Sequence, residues 1–245
     1  MIVGKSTERR NLRRTAAEIK HYRTLTKILP VMAGFFAMLL IVVYVVTILY
    51  NKYGSFTVMV NKYDNVKYGL TLSETREFFD PRMRLNSKAS EEITNISIND
   101  LPTNLDSDTG GIKHHPGDNW VAYTFFCKNA GELTLDCEYQ CYIVNMTKGI
   151  EEAVRVRIYR DGVPTDYAWV ASDGNPEPGT VAFMTDTDIA RGPINDFQPG
   201  DITRFTVVIW LEGDDPECVD DILGGQFKID MSISVVNVFD DAEDK

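Results

Sequence analysis

The run QFKIDMSISVVNV, residues Gln226–Val238, sets Phe227, Ile229, Met231, Ile233 and Val235 against Lys228, Asp230, Ser232 and Ser234 in alternation. Successive side chains of an extended chain point to opposite faces, so this pattern marks a β-strand with one buried and one wet face. Thr203–Leu211 (TRFTVVIWL) alternates differently, with Phe205, Val207, Ile209 and Leu211 on one face and Thr206, Val208 and Trp210 on the other. Both faces can be buried, which predicts a central strand covered on two sides. The period of two recurs at Thr57–Tyr63, Ile93–Asn99, Trp120–Lys128, Leu133–Met146, Ala153–Arg160, Asp166–Ala171 and Thr180–Phe183. Between Arg160 and Val163, Asp161-Gly162 supplies the positive φ angles of a two-residue hairpin turn. Short strands punctuated by Gly, Pro, Asn and Asp, with no helical period among them, predict one all-β domain over residues 51–245, a β-sandwich or jelly roll. Ser73–Asn119 is poor in apolar residues and rich in turn formers. It reads as long excursions over the sandwich surface, with one short helix near Ser87–Glu92.

Upstream of that domain, Ile28–Tyr50 (ILPVMAGFFAMLLIVVYVVTILY) runs 23 residues without a charged side chain. As a helix it reaches about 35 Å, enough to cross a hydrocarbon core of about 30 Å with some tilt. Residues 28–50 are therefore expected to form one transmembrane helix. Pro30 falls in its first turn, where a missing N–H costs little. The run exceeds the h-region of a removable signal peptide, and its exit, LYNKYGSF, offers no A-x-A-like cleavage site. The expectation is a retained signal-anchor.

Charge orients it. Residues 1–27 carry Lys5, Arg9, Arg10, Arg13, Arg14, Lys20, Arg23 and Lys27 against Glu8 and Glu18, a formal +6, whereas residues 51–245 carry −17. Basic flanks stay on the cytoplasmic side, so residues 1–27 are expected as a cytoplasmic tail and the β domain outside the cell. Anionic lipid headgroups account for the tail, and no nucleic-acid partner is needed.

All four cysteines, Cys127, Cys137, Cys141 and Cys218, lie on the exported side, where disulfides are permitted. Three pairings are open. Cys137 and Cys141 sit four apart on one predicted strand, about 13 Å between Cα atoms, too far for a bridge. Cys127 with either of them is the easiest pairing, and the competing reading makes all four buried, small apolar side chains.

Motifs for chemistry are absent: there is no H-E-x-x-H, no G-x-S-x-G, no Walker loop and no C-x-x-C. His114 and His115 are the only histidines after the span, and neighbours in an extended chain point apart. The sequence thus reads as a non-enzyme. Acidic loops are the candidate ligand site: Asp214, Asp215, Glu217, Asp220 and Asp221 fall within eight residues, and Asp173, Glu177, Asp186, Asp188, Asp196 and Asp201 decorate other connections. Hard cations such as calcium take about six to eight oxygen ligands from loops of this kind. No other cofactor is expected.

Three stretches carry a resemblance: GDNWVAYTFFCKNAGELTLDCEYQCYI (Gly117–Ile143), FQPGD (Phe197–Asp201) before a long strand, and GGQFKIDMSISVVNVF (Gly224–Phe239) as a last strand. They resemble the camelysin/TasA group of bacterial surface and matrix-fibre proteins. RFTVVIWLEGDDPECVDDILGGQFKIDM (Arg204–Met231) is also similar to uncharacterised membrane-anchored proteins of Gram-positive bacteria. The resemblance implies a bacterial source, a jelly-roll domain and assembly with matrix or surface proteins. This chain departs from the group in its long anchor and basic tail, and no motif here carries the peptidase activity sometimes attached to camelysin. Besides the bilayer, the expected partner is another surface, matrix or membrane protein, or a second copy of the chain, engaged through loops or a sheet edge. Two other readings are a small subunit of a larger membrane assembly, with the tail as its cytoplasmic contact, and an extracellular metal-dependent hydrolase with its carboxylates in the acidic loops.

Overall fold

The computed structural model describes residues 28–48, 56–87, 93–106, 111–112 and 118–239. The basic tail, Tyr50, His114, His115, the acidic C-terminus and all of the expected short helix except Ser87 lie outside them. The chain divides into two compact units, residues 1–51 and 52–245.

In the first unit the described residues form one helix, α1, Ile28–Ile48, long and apolar enough to cross a membrane. None of its side chains is buried against protein. Thr47 returns its hydroxyl to the carbonyl of Val43 at 2.8 Å, so this polar group is satisfied within the helix.

The second unit is a two-sheet β-sandwich. One sheet runs β11 (Asp188–Phe197), β7 (Thr134–Met146), β13 (Phe227–Phe239), β1 (Thr57–Val60), β3 (Arg84–Asn86). The other runs β10 (Val181–Ala182), β9 (Val163–Ala168), β8 (Val154–Arg160), β12 (Ile202–Glu212), β6 (Trp120–Asn129), β2 (Leu70–Ser73), with β4 (Asn95–Ile96) beside the end of β12 and β5 (Gly111–Ile112) beside β6. From β6 onward the chain changes sheet at each connection except within β8–β9–β10. That winding sets β1-β13-β7-β11 over β6-β12-β8-β9, the order of a jelly roll. Three pairings among the described strands are parallel: β1 with β13 inside the roll, and the two-residue β10 with β9 and β4 with β12 at its margins.

Inward faces meet as the alternation predicts. Ile229, Met231 and Ile233 of β13 and Phe205 and Val207 of β12 are buried in one core. Phe205 stacks on Phe125 of β6 at 5.4 Å and meets the edge of Tyr139 of β7 at 5.2 Å, joining the two sheets through aromatic contacts. β12 is central, flanked by β6 and β8, and Thr206, Val208 and Trp210 on its second face are fully buried. Their cover is the segment 93–106, whose Leu101 and Leu105 pack on Trp120, Tyr159, Val208 and Trp210. Glu212 pins this cover, accepting hydrogen bonds from the Trp210 indole N–H at 3.0 Å and the Ile98 N–H at 3.1 Å. Part of the expected Ser73–Asn119 excursion is thus a roof.

Several expected boundaries are corrected. The strand over Thr57–Tyr63 stops at Val60, because Asn61 caps the N–H of Tyr63 at 2.9 Å and starts a short helix, α2, Lys62–Tyr68. Gly69, at φ 72°, ends that helix in the left-handed conformation, with its N–H returned to Asn65 and Asp64. Ile93–Asn99 holds only β4 before a 3₁₀ turn at Ile98–Asp100. The second arm of the hairpin is Val163–Ala168 rather than Asp166–Ala171, set by the Asp161-Gly162 turn, where φ is 51° and 91°. Thr180–Phe183 shortens to β10, and β2, β3, β5 and β11 arise in segments not expected to be strands.

Candidate functional site

The acidic loop after β12 sorts into separate environments. Asp215 is buried, and its Oδ2 takes a short, buried ion pair from the Arg155 guanidinium at the start of β8, while its Oδ1 accepts the Glu217 N–H at 2.8 Å. Glu177, from the loop between β9 and β10, reaches the same guanidinium at 3.3 Å. Carboxylate oxygens of Glu177, Asp215 and Glu217 lie within 4.8 Å of one another. Arg155 also donates to the carbonyls of Glu152 and Val154, both at 3.3 Å, so its side chain is fixed from two directions. The other acidic candidates point elsewhere: Asp214 accepts the Ser97 hydroxyl at 2.6 Å, and Asp220 and Asp221 are exposed in the first turn of a 3₁₀ segment, Asp220–Ile222.

Of the five proposed calcium ligands, therefore, two converge, and the third carboxylate comes from a distant loop. No spacing in the sequence signals Glu177 or Arg155, because the sandwich itself brings two loops and the start of β8 to one end. The guanidinium occupies the place where a cation would neutralise these carboxylates, and it already engages Asp215 and Glu177. A buried guanidinium holding carboxylates from separate connections is a structural clamp.

The two buried acids respond oppositely to this setting. Burial raises the pKa of Glu177, the Asp215 charge adds to the rise, and Arg155 works against it. For Asp215 burial also acts upward, but its hydrogen bonding with Glu217 and the Arg155 charge outweigh it and hold the carboxyl below its ordinary value. Glu177 thus contributes stability that is full below its unfolded-state pKa and is lost as pH rises through its higher folded value. Asp215 contributes stability that is present above its unfolded-state pKa and is lost as pH falls through its lower folded value. Glu177→Gln is accordingly expected to be less destabilising near about pH 7 than near about pH 4, measured by chemical denaturation at both. The reverse order would mean that the Glu177 charge is the stabilising form.

All four cysteines are free thiols. Cys137 and Cys141 share the continuous strand β7, as their spacing required, and Cys127, Cys137 and Cys141 are buried in the core between the sheets. Burial pushes the Cys137 thiol up to about 12, and Cys127 and Cys141 upward as well. Cys218, in the acidic loop, is half-buried and meets the Asn95 amide at 3.7 Å. A thiolate is the reactive form, so iodoacetamide at about pH 8 is expected to label Cys218 alone in the folded chain, with the other three reacting only after denaturation. Rapid labelling of Cys127 by peptide mass spectrometry would contradict this packing.

A cleft of about 240 Å³ is lined by Arg76, Phe126, Asp161, Ile202 and Arg204. Asp161 accepts from the Thr203 hydroxyl at 2.8 Å and the Arg204 N–H at 2.7 Å, and the Arg204 guanidinium donates to Asp106 at 2.6 Å. The Asp161 bonds brace the β8–β9 turn against β12, and the Arg204–Asp106 pair ties β12 to the segment 93–106.

Sheet edges are the remaining surface for recognition, and most are closed. Along β11, the Ile189 carbonyl accepts the Met184 N–H at 3.4 Å, the Pro193 carbonyl accepts from Arg160 at 2.5 Å, and Pro193 has no N–H to offer. Register shifts on both sides of Ala190–Ile194 break the edge further. On the opposite side, Leu72 of β2 exchanges two hydrogen bonds with Arg82, both 2.8 Å, and the Val60 N–H of β1 donates to the Met83 carbonyl at 2.8 Å. The segment leading into β3 thus bridges the two sheets. Exposed loops complete the surface, among them Glu74–Met83, which presents Phe79 at 82% exposure beside Phe78 at φ 53°.

No protein-family model matches the chain, and no curated protein or solved structure matches it significantly.

Proposed function

We propose that this chain is a single-pass membrane protein that holds its β-sandwich outside the cell, where loops and free backbone contact another surface, matrix or membrane protein, with no chemistry of its own. The observation that carries the reading is α1, an apolar helix of 21 residues with no side chain buried against protein, ahead of a separate sandwich. Such a surface is costly in water and favourable in hydrocarbon. The basic residues before it and the net charge of −17 after it support an N-terminus in the cytoplasm and the sandwich outside. The camelysin/TasA likeness of the stretches Gly117–Ile143, Phe197–Asp201 and Gly224–Phe239 supports the same setting, a bacterial cell surface. A contact role rests on the sandwich: Asp215 and Glu177 of its acidic cluster are clamped on Arg155, and Asp161 in the cleft is taken up by the Thr203 hydroxyl and the Arg204 N–H.

Carbonate extraction of membranes tests the anchor. The full chain is expected in the pellet, and a variant carrying Leu40→Arg and Val43→Arg, each costing about 2.5–3.5 kcal/mol at the helix centre, is expected to shift to the supernatant. Release of the unaltered chain by carbonate would remove the anchor from the account. Partner capture with and without residues 1–27 separates this reading from a subunit role: loss of the partner with the tail alone would move recognition to the cytoplasmic side.

A further inference from the structure

Among the described residues β1 is the first strand of the sandwich and β13 the last, and they lie side by side in parallel, Thr57 beside Asp230 and Val60 beside Ile233. The chain therefore enters at one end of this pair, while β13 finishes at the other, Phe239 lying about 30 Å beyond Asp230 at the rise of an extended chain. β1 is held along both edges. On the β3 side the Phe56 carbonyl accepts the Ser87 N–H at 2.9 Å and the Val60 N–H donates to the Met83 carbonyl at 2.8 Å; on the β13 side the Thr57 N–H donates to the Asp230 carboxylate at 3.0 Å. Phe56, Val58 and Val60 are buried in the core, so β1 cannot slide without dragging them through close-packed neighbours. α2, which follows, is seated as firmly: the Gly69 carbonyl accepts the Ala130 N–H at 3.1 Å, and a Cβ on Gly131 would strike the Tyr68 carbonyl.

We propose that β1 and β13 form a mechanical clamp, which keeps the sandwich folded under tension that the anchor passes into it. The proposal rests on the reading of the chain as an anchored contact protein and adds the direction of pull that its sandwich withstands. α1 precedes β1 in the chain, so any pull from the anchor enters the sandwich at β1. A pull drawn toward the end where β13 finishes runs along the pair and strains its hydrogen bonds together, so they yield only in concert. A pull drawn toward the end where β13 begins opens them one after another. The turns 130–133, between β6 and β7, and 198–201, between β11 and β12, lie at the finishing end, where Leu135 is beside both Val238 and Phe197. A partner held there loads the clamp. The acidic loop leads straight into β13, and a partner held by it peels the pair apart instead.

Single-molecule force spectroscopy on the full chain in neutral detergent tests this, with one handle at the N-terminus and the second at one of two places. At the C-terminus, beyond Phe239, the second handle shears the pair; at Leu223, exposed in the turn before β13 and made reactive as Leu223→Cys in a Cys218→Ser background, it unzips the pair. Unwinding of α1 adds only 21 residues to the extension, so the far longer release of the sandwich is recognised by its length. At one loading rate the sandwich is expected to yield at a force about twofold or more higher in the first geometry than in the second. The Val60 N–H faces β3 and successive N–H groups face opposite edges, so the Met59 N–H faces β13. Met59→Pro, which removes that donor, is expected to lower the first force at least halfway to the second, whereas Met59→Ala, which keeps it, is expected to leave the force unchanged. Equal forces in the two geometries, or a force indifferent to Met59→Pro, would overturn the clamp. Failure of the anchor is read separately, by release of the unaltered chain with carbonate.

Discussion

Replacing Arg155 by methionine is expected to lower the unfolding free energy of the sandwich by about 3–5 kcal/mol, because it removes one partner of a buried ion pair and leaves the carboxylates. Asp215 loses its guanidinium and Glu177 its only opposite charge in the cluster, while Glu217 stays close by. Methionine keeps most of the side-chain length, so lost volume is a small part of the effect. The loss is expected to shrink toward about pH 4, as protonation relieves the repulsion among the acids. Calcium sharpens the prediction. With Arg155 present, millimolar calcium is expected to leave the melting temperature unchanged; in the variant, three carboxylates without a guanidinium are expected to bind the ion and recover part of the loss. A loss below about 1 kcal/mol, the range of a surface pair, would contradict the clamp.

Trp210→Ala is expected to cost a similar amount, about 3–5 kcal/mol, through a different mechanism. Trp210 is fully buried on the roofed face of β12, its indole N–H donates to Glu212, and the Arg157 guanidinium lies 5.6 Å from its ring. Truncation opens a cavity under Leu101 and Leu105 and removes one donor from Glu212, which pins the roof through Ile98. Amide exchange in residues 96–106 is expected to quicken more than exchange in β7 or β13, since those strands pack in the other core. Denaturant unfolding measures the stability change. Equal acceleration in both regions would mean that the roof and the sandwich unfold as one unit.

These residues also show what a sequence of this kind reveals. The alternation in Gln226–Val238 and Thr203–Leu211 gave the sandwich, the inward faces and the central place of β12, because packing on two sides leaves its mark on both sets of alternating positions. The outer face of β13 is not wet throughout as expected: Lys228 and Asp230 are buried 3.7 Å from each other, and Asp230 accepts the Thr57 N–H of β1 at 3.0 Å. β11 left no such mark. Its two register shifts break the period, and Gly192 sits where a Cβ would come within 2.7 Å of the Tyr139 ring, so a position in the strand carries no side chain to read. α2 spans 7 residues, too short for a helical period, and only its Asn61 and Gly69 caps betray it. The acidic loop was legible as acidic, yet Asp215 separates from Asp214, Asp220 and Asp221 only when β8 and the β9–β10 loop bring Arg155 and Glu177 to it.

The orientation of the chain is the claim on which the rest of the functional account depends. Protease added to intact cells tests it, with antibodies against residues 1–27 and against the sandwich as separate readouts. The account predicts that the sandwich is digested or released while the N-terminal tail stays protected until the cells are lysed. A protected sandwich with an accessible tail, or protection of both until lysis, would contradict it.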